Sequence, residues 1–480
     1  MLPFAEKAQD LAARTERNSA WRQKDCFNLI PSESTPSLLV KMCEIADPAG
    51  RYAEHRTMKG EEVYFYQGTD FIRDVEVEAQ KELAAYFGCT DVELRPVSGQ
   101  MANEVVFKGL VKFLNRGRAE GQPSRRMRLV LNNDLIYGGH LSSQPMGALF
   151  NYVEEDPATG KERVVNLPVL KDNPYKPDLD RLGGLLESYR PELVVFGKSM
   201  FLYREPVRFV ADIVRGWKDR PVLMFDMAHV LGLYGAFQDP FDEGADVVTG
   251  STHKTFFGTQ RGVVAGNFPK GSPLRNLWLE IKGRAFPGST SNHHLGTLLG
   301  LLMAAYEMNA FREAFQNQVR ANAKALAGAL HAHGIPVEGD PADGYTETHQ
   351  VIIRVKAFGP GMEIARRLET NNILTNYQAL PGDATFLESS GIRLGVQEMT
   401  RFGMKEKDFD TLAGLMSDII VRNKPAGDDV ARYRKNFLTM GFTLPPAEAL
   451  PLAARILASV IPEPGYAALF AENLRLAAGA

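Results

Sequence analysis

The sequence predicts an α/β protein with a mainly parallel sheet, joined to a smaller C-terminal α+β domain. Three observations predict it: short unbroken apolar runs through the middle of the chain, helix-period segments alternating with them, and a change of pattern near residue 305. Unbroken apolar character marks strands covered on both faces, as parallel strands between helices are.

Residues 1 to 21 are polar and helix-like without an apolar h-region, so no secretory signal is expected. Glu76 to Phe87 reads as an amphipathic helix with Val75, Ala79, Leu83 and Tyr86 on one side, and Gly88 as its stop. Val92–Val97 is a strand candidate. A helix follows from Met101, with Phe107, Leu110, Val111 and Leu114 at helical spacing. The apolar runs are Arg128–Leu131, Leu193–Phe196, Val222–Phe225, Asp246–Val248 and Val263–Ala265. A long helical stretch covers roughly Thr297 to Ala332. A strand at Val351–Val355 and a helix with Phe409, Leu412, Met416 and Ile419 on one face complete the smaller unit. Beyond Lys424-Pro425, a helical tail reads as an appended segment. The expected division is an N-terminal helical arm (1–48), a large domain (49–305), a small domain (306–422) and a C-terminal helical extension (423–480).

The composition is that of an ordinary globular chain, 44% hydrophobic and 24% charged, with a net charge of −3. That balance gives no reason to expect a nucleic-acid or membrane partner, and no apolar run approaches membrane-spanning length. Cys26, Cys43 and Cys89 form neither a CxxC pair nor a metal-type cluster. No metal is expected, and a reduced, cytoplasmic setting fits best.

Two segments carry chemistry. Phe225-Asp226-Met-Ala-His229 and Thr249-Gly-Ser-Thr-His253-Lys254-Thr255 each follow an apolar run. In a parallel sheet this brings Asp226, His229, His253 and Lys254 to one edge. Either segment alone is equally compatible with a strand-end cap or a solvated loop. Together they are the set that an electron-sink cofactor requires. A lysine amine forms a Schiff base with the cofactor aldehyde, and a carboxylate keeps a pyridine nitrogen protonated by charge pairing.

These residues also resemble a family. DMAHVLGL (Asp226–Leu233) resembles the DMAHIAGL of serine hydroxymethyltransferases, and STHKTFFG (Ser251–Gly258) their TTTHKTLRG. In the same order, Leu29–Ser34 is similar to LIASEN, Arg51–Glu54 to KYAEG, Val97–Asn103 to HSGSQAN, Gly138–Leu141 to GGHL, and Ser390–Gly395 to SGIRIG. The resemblance covers roughly residues 25 to 422. It implies a fold-type I pyridoxal-5′-phosphate (PLP) transferase with a seven-stranded-type sheet, working as a homodimer or dimer of dimers with sites shared between subunits.

Roles carry over as implications of that resemblance. Lys254 would be the Schiff-base lysine, Asp226 the pyridine partner, His140 the ring-stacking group, and His229 a neighbour of the cofactor's phenolic oxygen. Ser98, Gly99 and Gln100, opening a helix, would receive the phosphate. Ser199, Thr252, His253, Tyr52 and Gly288 would also contact the cofactor. Arg393 and Ser32 would hold the substrate carboxylate, Glu54 would be the acid–base group, and Tyr66 a second substrate-facing residue. Read alone, Ser98-Gly99 is an ordinary N-cap and Glu54 a surface residue in a charged stretch.

Departures cluster where the family meets folate. YYGG becomes Phe65-Tyr-Gln-Gly68, the first histidine of HGGHL is Tyr137, the FPGxQGGP loop reads Phe286-Pro-Gly-Ser-Thr-Ser-Asn-His293, and RGPRGG reads Phe257-Gly-Thr-Gln-Arg-Gly262. The expected reaction is Cα–Cβ cleavage and formation in a β-hydroxy-α-amino acid, with serine–glycine one-carbon transfer first. Tetrahydrofolate use stays open. A folate-independent L-threonine aldolase or transaldolase is the alternative, and Ser291-Asn292 and the C-terminal extension point toward that branch. A non-catalytic PLP-fold binding protein is a further alternative, against which the intact Lys254, Asp226, His140 and Arg393 argue.

Overall fold

The structure, a computed structural model, describes all residues except 1, 60, 120, 462, 464 and 480, and all their side chains except those of 476–479. The main sheet comprises β1 (Asp91–Glu93), β2 (Val130–Asn132), β3 (Val164–Asn166), β4 (Leu193–Gly197), β5 (Val222–Asp226), β6 (Val247–Ser251) and β7 (Gly262–Gly266). Its spatial order is β1-β7-β6-β5-β4-β2-β3. All neighbours are parallel except β7, which runs antiparallel to both β6 and β1. The mainly parallel, seven-stranded sheet is therefore as expected.

The unbroken apolar runs have a direct explanation. Every residue of β4, β5, β6 and β7 is buried. Val194, Phe196, Leu223 and Phe225 face a core shared with the helices Asp70–Phe87 and Leu295–Ala332. Leu193, Val195, Val222 and Met224 face a second core with Gly99–Leu114 and Arg275–Gly283. Alternation thus exists, but both faces are covered, so it leaves no polar trace.

Helix Asp70–Phe87 starts a turn and a half before the expected position and ends at Gly88, whose φ of +62° is the left-handed cap that glycine adopts freely. Helix Leu295–Ala332 runs through the 305/306 division expected from the sequence. A second sheet, β8 (Gln350–Arg354), β9 (Asn376–Gln378) and β10 (Gly391–Gly395), is antiparallel in the order β8-β10-β9. Its central strand carries Arg393, paired with Ile352 and Asn376.

The C-terminal segment is more than an appendage. Arg434 is 1% exposed, and its guanidinium donates to the carbonyls of Cys26 at 2.8 Å and Gln23 at 2.9 Å, and to that of Phe437. Helix Pro446–Val460 packs Ala449 and Ala453 against Leu39. Among the described residues no helix is long and apolar enough to cross a membrane.

Candidate active site

The parallel strands β4, β5 and β6 end together, and the chemistry sits on that edge. Asp226 is the last residue of β5, and its backbone lies beside Gly197. A Cβ on Gly197 would come within 2.8 Å of the Asp226 Cβ, so this position has no room for a side chain. The Asp226 carboxylate is 1% exposed and fully engaged. It accepts from Asn103 Nδ2 at 2.8 Å, the Ala228 amide at 3.0 Å and His140 Nδ1 at 2.5 Å. Burial alone would raise its pKa, but the His140 charge and the three donors hold it below the usual carboxylate range.

Lys254 follows three residues after β6. Its Nζ lies 3.3 Å from His229 Nε2, and the His229 and His140 rings meet edge-on with centroids 5.3 Å apart. Lys254, His229, His140 and Asp226 therefore form one connected group. Burial, with Arg393 adding and Asp226 opposing, lowers the Lys254 pKa to about 8. Burial also keeps His229 neutral, reinforced by the Lys254 charge. The same two causes lower His253 to about 4.

These groups border a cavity of about 730 Å³, lined by Ser32, His140, Ser199, His229, His253, Lys254 and Arg393. Arg393 enters from the second sheet. Its Nη1 donates to the Ser199 carbonyl at 2.6 Å and its Nε to Asn376 Oδ1 at 3.3 Å, and burial lowers its pKa to about 10. The cavity mouth is apolar, formed by Leu135, Ile136, Leu141 and Phe386, all exposed.

The remaining expected residues lie elsewhere. Ser98 caps helix Gly99–Leu114, accepting from the Met101 amide at 3.1 Å, and Gln100 is exposed beside it. A Cβ on Gly99 would collide with Ser251 Oγ, which leaves the backbone of this helix start bare for an anion. Thr252 turns its hydroxyl to the Thr259 carbonyl at 2.7 Å and does not border the cavity. Neither do Tyr52, Glu54, Tyr66 and Gly288. Tyr52 and Tyr66 pack on each other at 5.3 Å and are 50% and 42% exposed. Phe65 approaches Phe286 at 6.5 Å, and Asn292 donates to the Arg51 carbonyl at 2.7 Å, so the loop bearing Gly288 adjoins this aromatic face.

Asn103 was assigned no role from the sequence, although it closes the quoted SGQMAN segment. Besides Asp226 it donates to Ser142 Oγ at 2.8 Å and accepts from Thr249 Oγ1 at 2.6 Å, which fixes its amide. Asn376, the anchor of Arg393, was likewise unassigned. Its position two residues after the Ile373-Leu374 pair carries no local signal.

The donor set fits pyridoxal phosphate. It offers an amine (Lys254), an ionised acid (Asp226), an imidazole face (His140) and a bare helix start at Ser98–Gly99. His229 Nδ1 and His253 Nδ1 are buried without a partner, leaving polar capacity beside the amine.

Comparison with known proteins agrees. The serine hydroxymethyltransferase family model matches residues 5–416. A serine hydroxymethyltransferase of Pyrobaculum arsenaticum is 37% identical over 88% of this chain and 91% of the relative. Those of Staphylothermus marinus and Archaeoglobus fulgidus are each 36% identical over 89% of this chain and 91% of theirs. The crystal structure of an L-threonine transaldolase from Pseudomonas fluorescens superimposes with a TM-score of 0.77, at 24% identity, over 93% of this chain and 97% of that one.

Proposed function

The chain belongs to the serine hydroxymethyltransferase family and is a PLP-dependent enzyme of the Cα–Cβ-cleaving transferase kind, and from that premise we propose hydroxymethyl transfer between serine and glycine as its reaction. The observation that carries the reading is the shared cavity: Lys254 and Arg393 line one space with His140, which is hydrogen-bonded to Asp226. When bound, PLP supplies an electron sink for the charge left on Cα as the Cα–Cβ bond breaks.

The chain's own residues do the rest. Arg393 offers a guanidinium fork to the substrate carboxylate, which orients the bonds about Cα. Ser32 adds a hydroxyl there. His140, its Nδ1 held 2.5 Å from Asp226 Oδ2, would offer its ring face to the bound cofactor, and Asp226 would keep the cofactor's pyridine nitrogen protonated. The lowered pKa of Lys254 makes its amine available as nucleophile and proton carrier near neutral pH. Glu54 takes or gives the proton at the β-oxygen. Glu54, Tyr52 and Tyr66 lie outside their own chain's cavity, which is compatible with what the family resemblance implies, sites shared between the subunits of a cytoplasmic homodimer or dimer of dimers.

The second reading is a folate-independent L-threonine aldolase or transaldolase. It is favoured by Tyr137 and Phe65 at folate-facing positions and by the apolar mouth, which suits an apolar aldehyde. One experiment separates the two. The PLP-loaded enzyme is given L-serine with and without tetrahydrofolate, then L-threonine with a panel of aldehydes, and products are identified by mass spectrometry. Folate-dependent glycine supports hydroxymethyl transfer. New β-hydroxy-α-amino acids formed without folate favour the transaldolase and remove the first reading.

Arg393→Ala is expected to weaken glycine binding about 100-fold, the loss of a charge-assisted pair of about 3 kcal/mol. Titration followed by visible absorbance measures it. Wild-type affinity would remove Arg393 from the carboxylate site, and the cofactor should stay bound in either case.

A further inference from the structure

Away from the cavity, a second buried set of charged groups joins several distant segments. His55, 5% exposed, opens the strand His55–Met58, which pairs with Glu61–Tyr64. Its Nδ1 meets Glu62 Oε2 at 3.0 Å and its Nε2 meets Glu76 Oε2 at 3.1 Å. Its ring stacks on Tyr64 with centroids 4.5 Å apart. Arg95, paired with Glu93 at 2.7 Å, donates to the His55 carbonyl at 3.4 Å. Arg261, wholly buried, donates to His293 Nδ1 at 3.2 Å, and His293 Nε2 lies 3.5 Å from Glu76 Oε2.

His55, Glu76 and His293 each place a ligand-type atom within 4.8 Å of the others, a spacing that suits a divalent cation. The hydrogen bond to His293 decides against one. A guanidinium only donates, so His293 Nδ1 accepts and its proton sits on Nε2, the atom that would have to bind metal. Charge leads to the same answer. Glu62, Glu76 and Glu93 face Arg95, Arg261 and Lys282, whose Nζ lies 3.1 Å from Glu62 Oε1, so three carboxylates already meet three cations, and a dication would add two uncompensated charges where an imidazolium adds one. Burial opposes that imidazolium, but the hydrogen bonds to Glu62 and Glu76 prevail and lift it to about 9.

The segments so joined are those that carry Tyr52, Glu54, Tyr66 and the loop of Gly288. His55 directly follows Glu54, where the KYAEG segment of the resembling family has glycine. The Glu54 carbonyl accepts from the Phe65 amide at 3.0 Å, so the strand pair continues through it. We propose that His55 is a positioning residue for the reaction: clamped between Glu62 and Glu76, it holds Glu54 and its neighbouring tyrosines in the geometry that proton transfer requires. This rests on the reading of Glu54 as the acid–base group. A side chain is placed accurately only when the groups behind it are locked, and two charged hydrogen bonds lock this strand where it leaves solvent.

The test is a double-mutant cycle on the PLP-loaded enzyme, measuring kcat and KM with L-serine or L-threonine, whichever is turned over faster. His55→Gln should lower kcat about 10- to 100-fold, the scale of a small misplacement, with KM nearly unchanged and the visible absorbance of bound cofactor retained. Glu54→Gln should lose more. The double variant should lose no more than Glu54→Gln alone, because His55 acts through Glu54. If His55→Gln does not fold, Glu62→Gln removes one arm of the clamp and completes the same cycle. Wild-type kcat in the clamp variant, or losses that multiply in the double variant, overturns the proposal while leaving Glu54 in its role. Wild-type kcat in Glu54→Gln overturns the reading of Glu54 and the proposal with it. Stoichiometric divalent metal in the purified enzyme, bound through His55, would overturn the imidazolium.

Discussion

Lys254→Ala is expected to lower kcat about ten-thousand-fold or more and to remove the visible absorbance of covalently held cofactor. Lys254 contributes the sole amine among the residues bordering the cavity. Its neighbours have no substitute. His229 stays neutral because burial and the lysine's own charge depress it, and Arg393 keeps its proton far above neutral pH. Losing the amine therefore removes both the covalent anchor and the proton carrier. The result is checked by an absorbance scan and by single-turnover kinetics with excess enzyme. A variant that keeps the wild-type spectrum would move the anchor to another residue. Because burial brings this amine to about 8, the wild-type rate of cofactor attachment should rise with pH through that value, as the neutral nucleophile accumulates.

Asp226→Asn is expected to cost about 10²- to 10³-fold in kcat, with the fold retained. The exchange preserves shape and removes charge. The loss is a charge contact worth about 3 to 4 kcal/mol at the point where electrons are withdrawn from Cα. Asn103 and the Ala228 amide both donate to the carboxylate, so an amide nitrogen facing them would be repelled, and the new side chain has a single oxygen to satisfy both. The depressed pKa also fixes a pH dependence. A carboxyl whose folded pKa lies below its unfolded value stabilises the fold above the unfolded pKa, and that stabilisation is lost as pH falls through the folded one. Thermal melts from pH 7 downward should therefore show wild type and Asp226→Asn converging in acid. Wild-type kcat in Asp226→Asn would separate the acid from the chemistry.

The legible part of the fold was the part that sequence distance does not obscure. Leu193–Phe196 and Val222–Phe225 read as strands because both faces are covered, and Asp226 and Lys254 read as neighbours because each follows such a run. Arg393 was legible only through its surrounding segment, because the strand that presents it is short and gains its meaning from Asn376 and Ser199. His55 lay in a charged stretch, Arg51 to Glu62, that locally resembles a solvated surface. Its burial comes from Glu76, Arg95 and His293, residues on three separate stretches of the chain, and no local pattern announces such a gathering. Asn103 was hidden for a related reason: on a helix its inward direction follows from the 3.6-residue period, but its partners sit on three other segments. The tail from residue 423 read as appended because periodicity shows that it is helical, not what its Arg434 reaches.

That guanidinium has a consequence for the order in which the molecule is assembled. Residues 23 and 26 are synthesised 411 and 408 positions before the donor for their carbonyls. That segment must wait, its carbonyls solvated, while the strands of the central sheet are made, and it is sealed only once Arg434 has followed them.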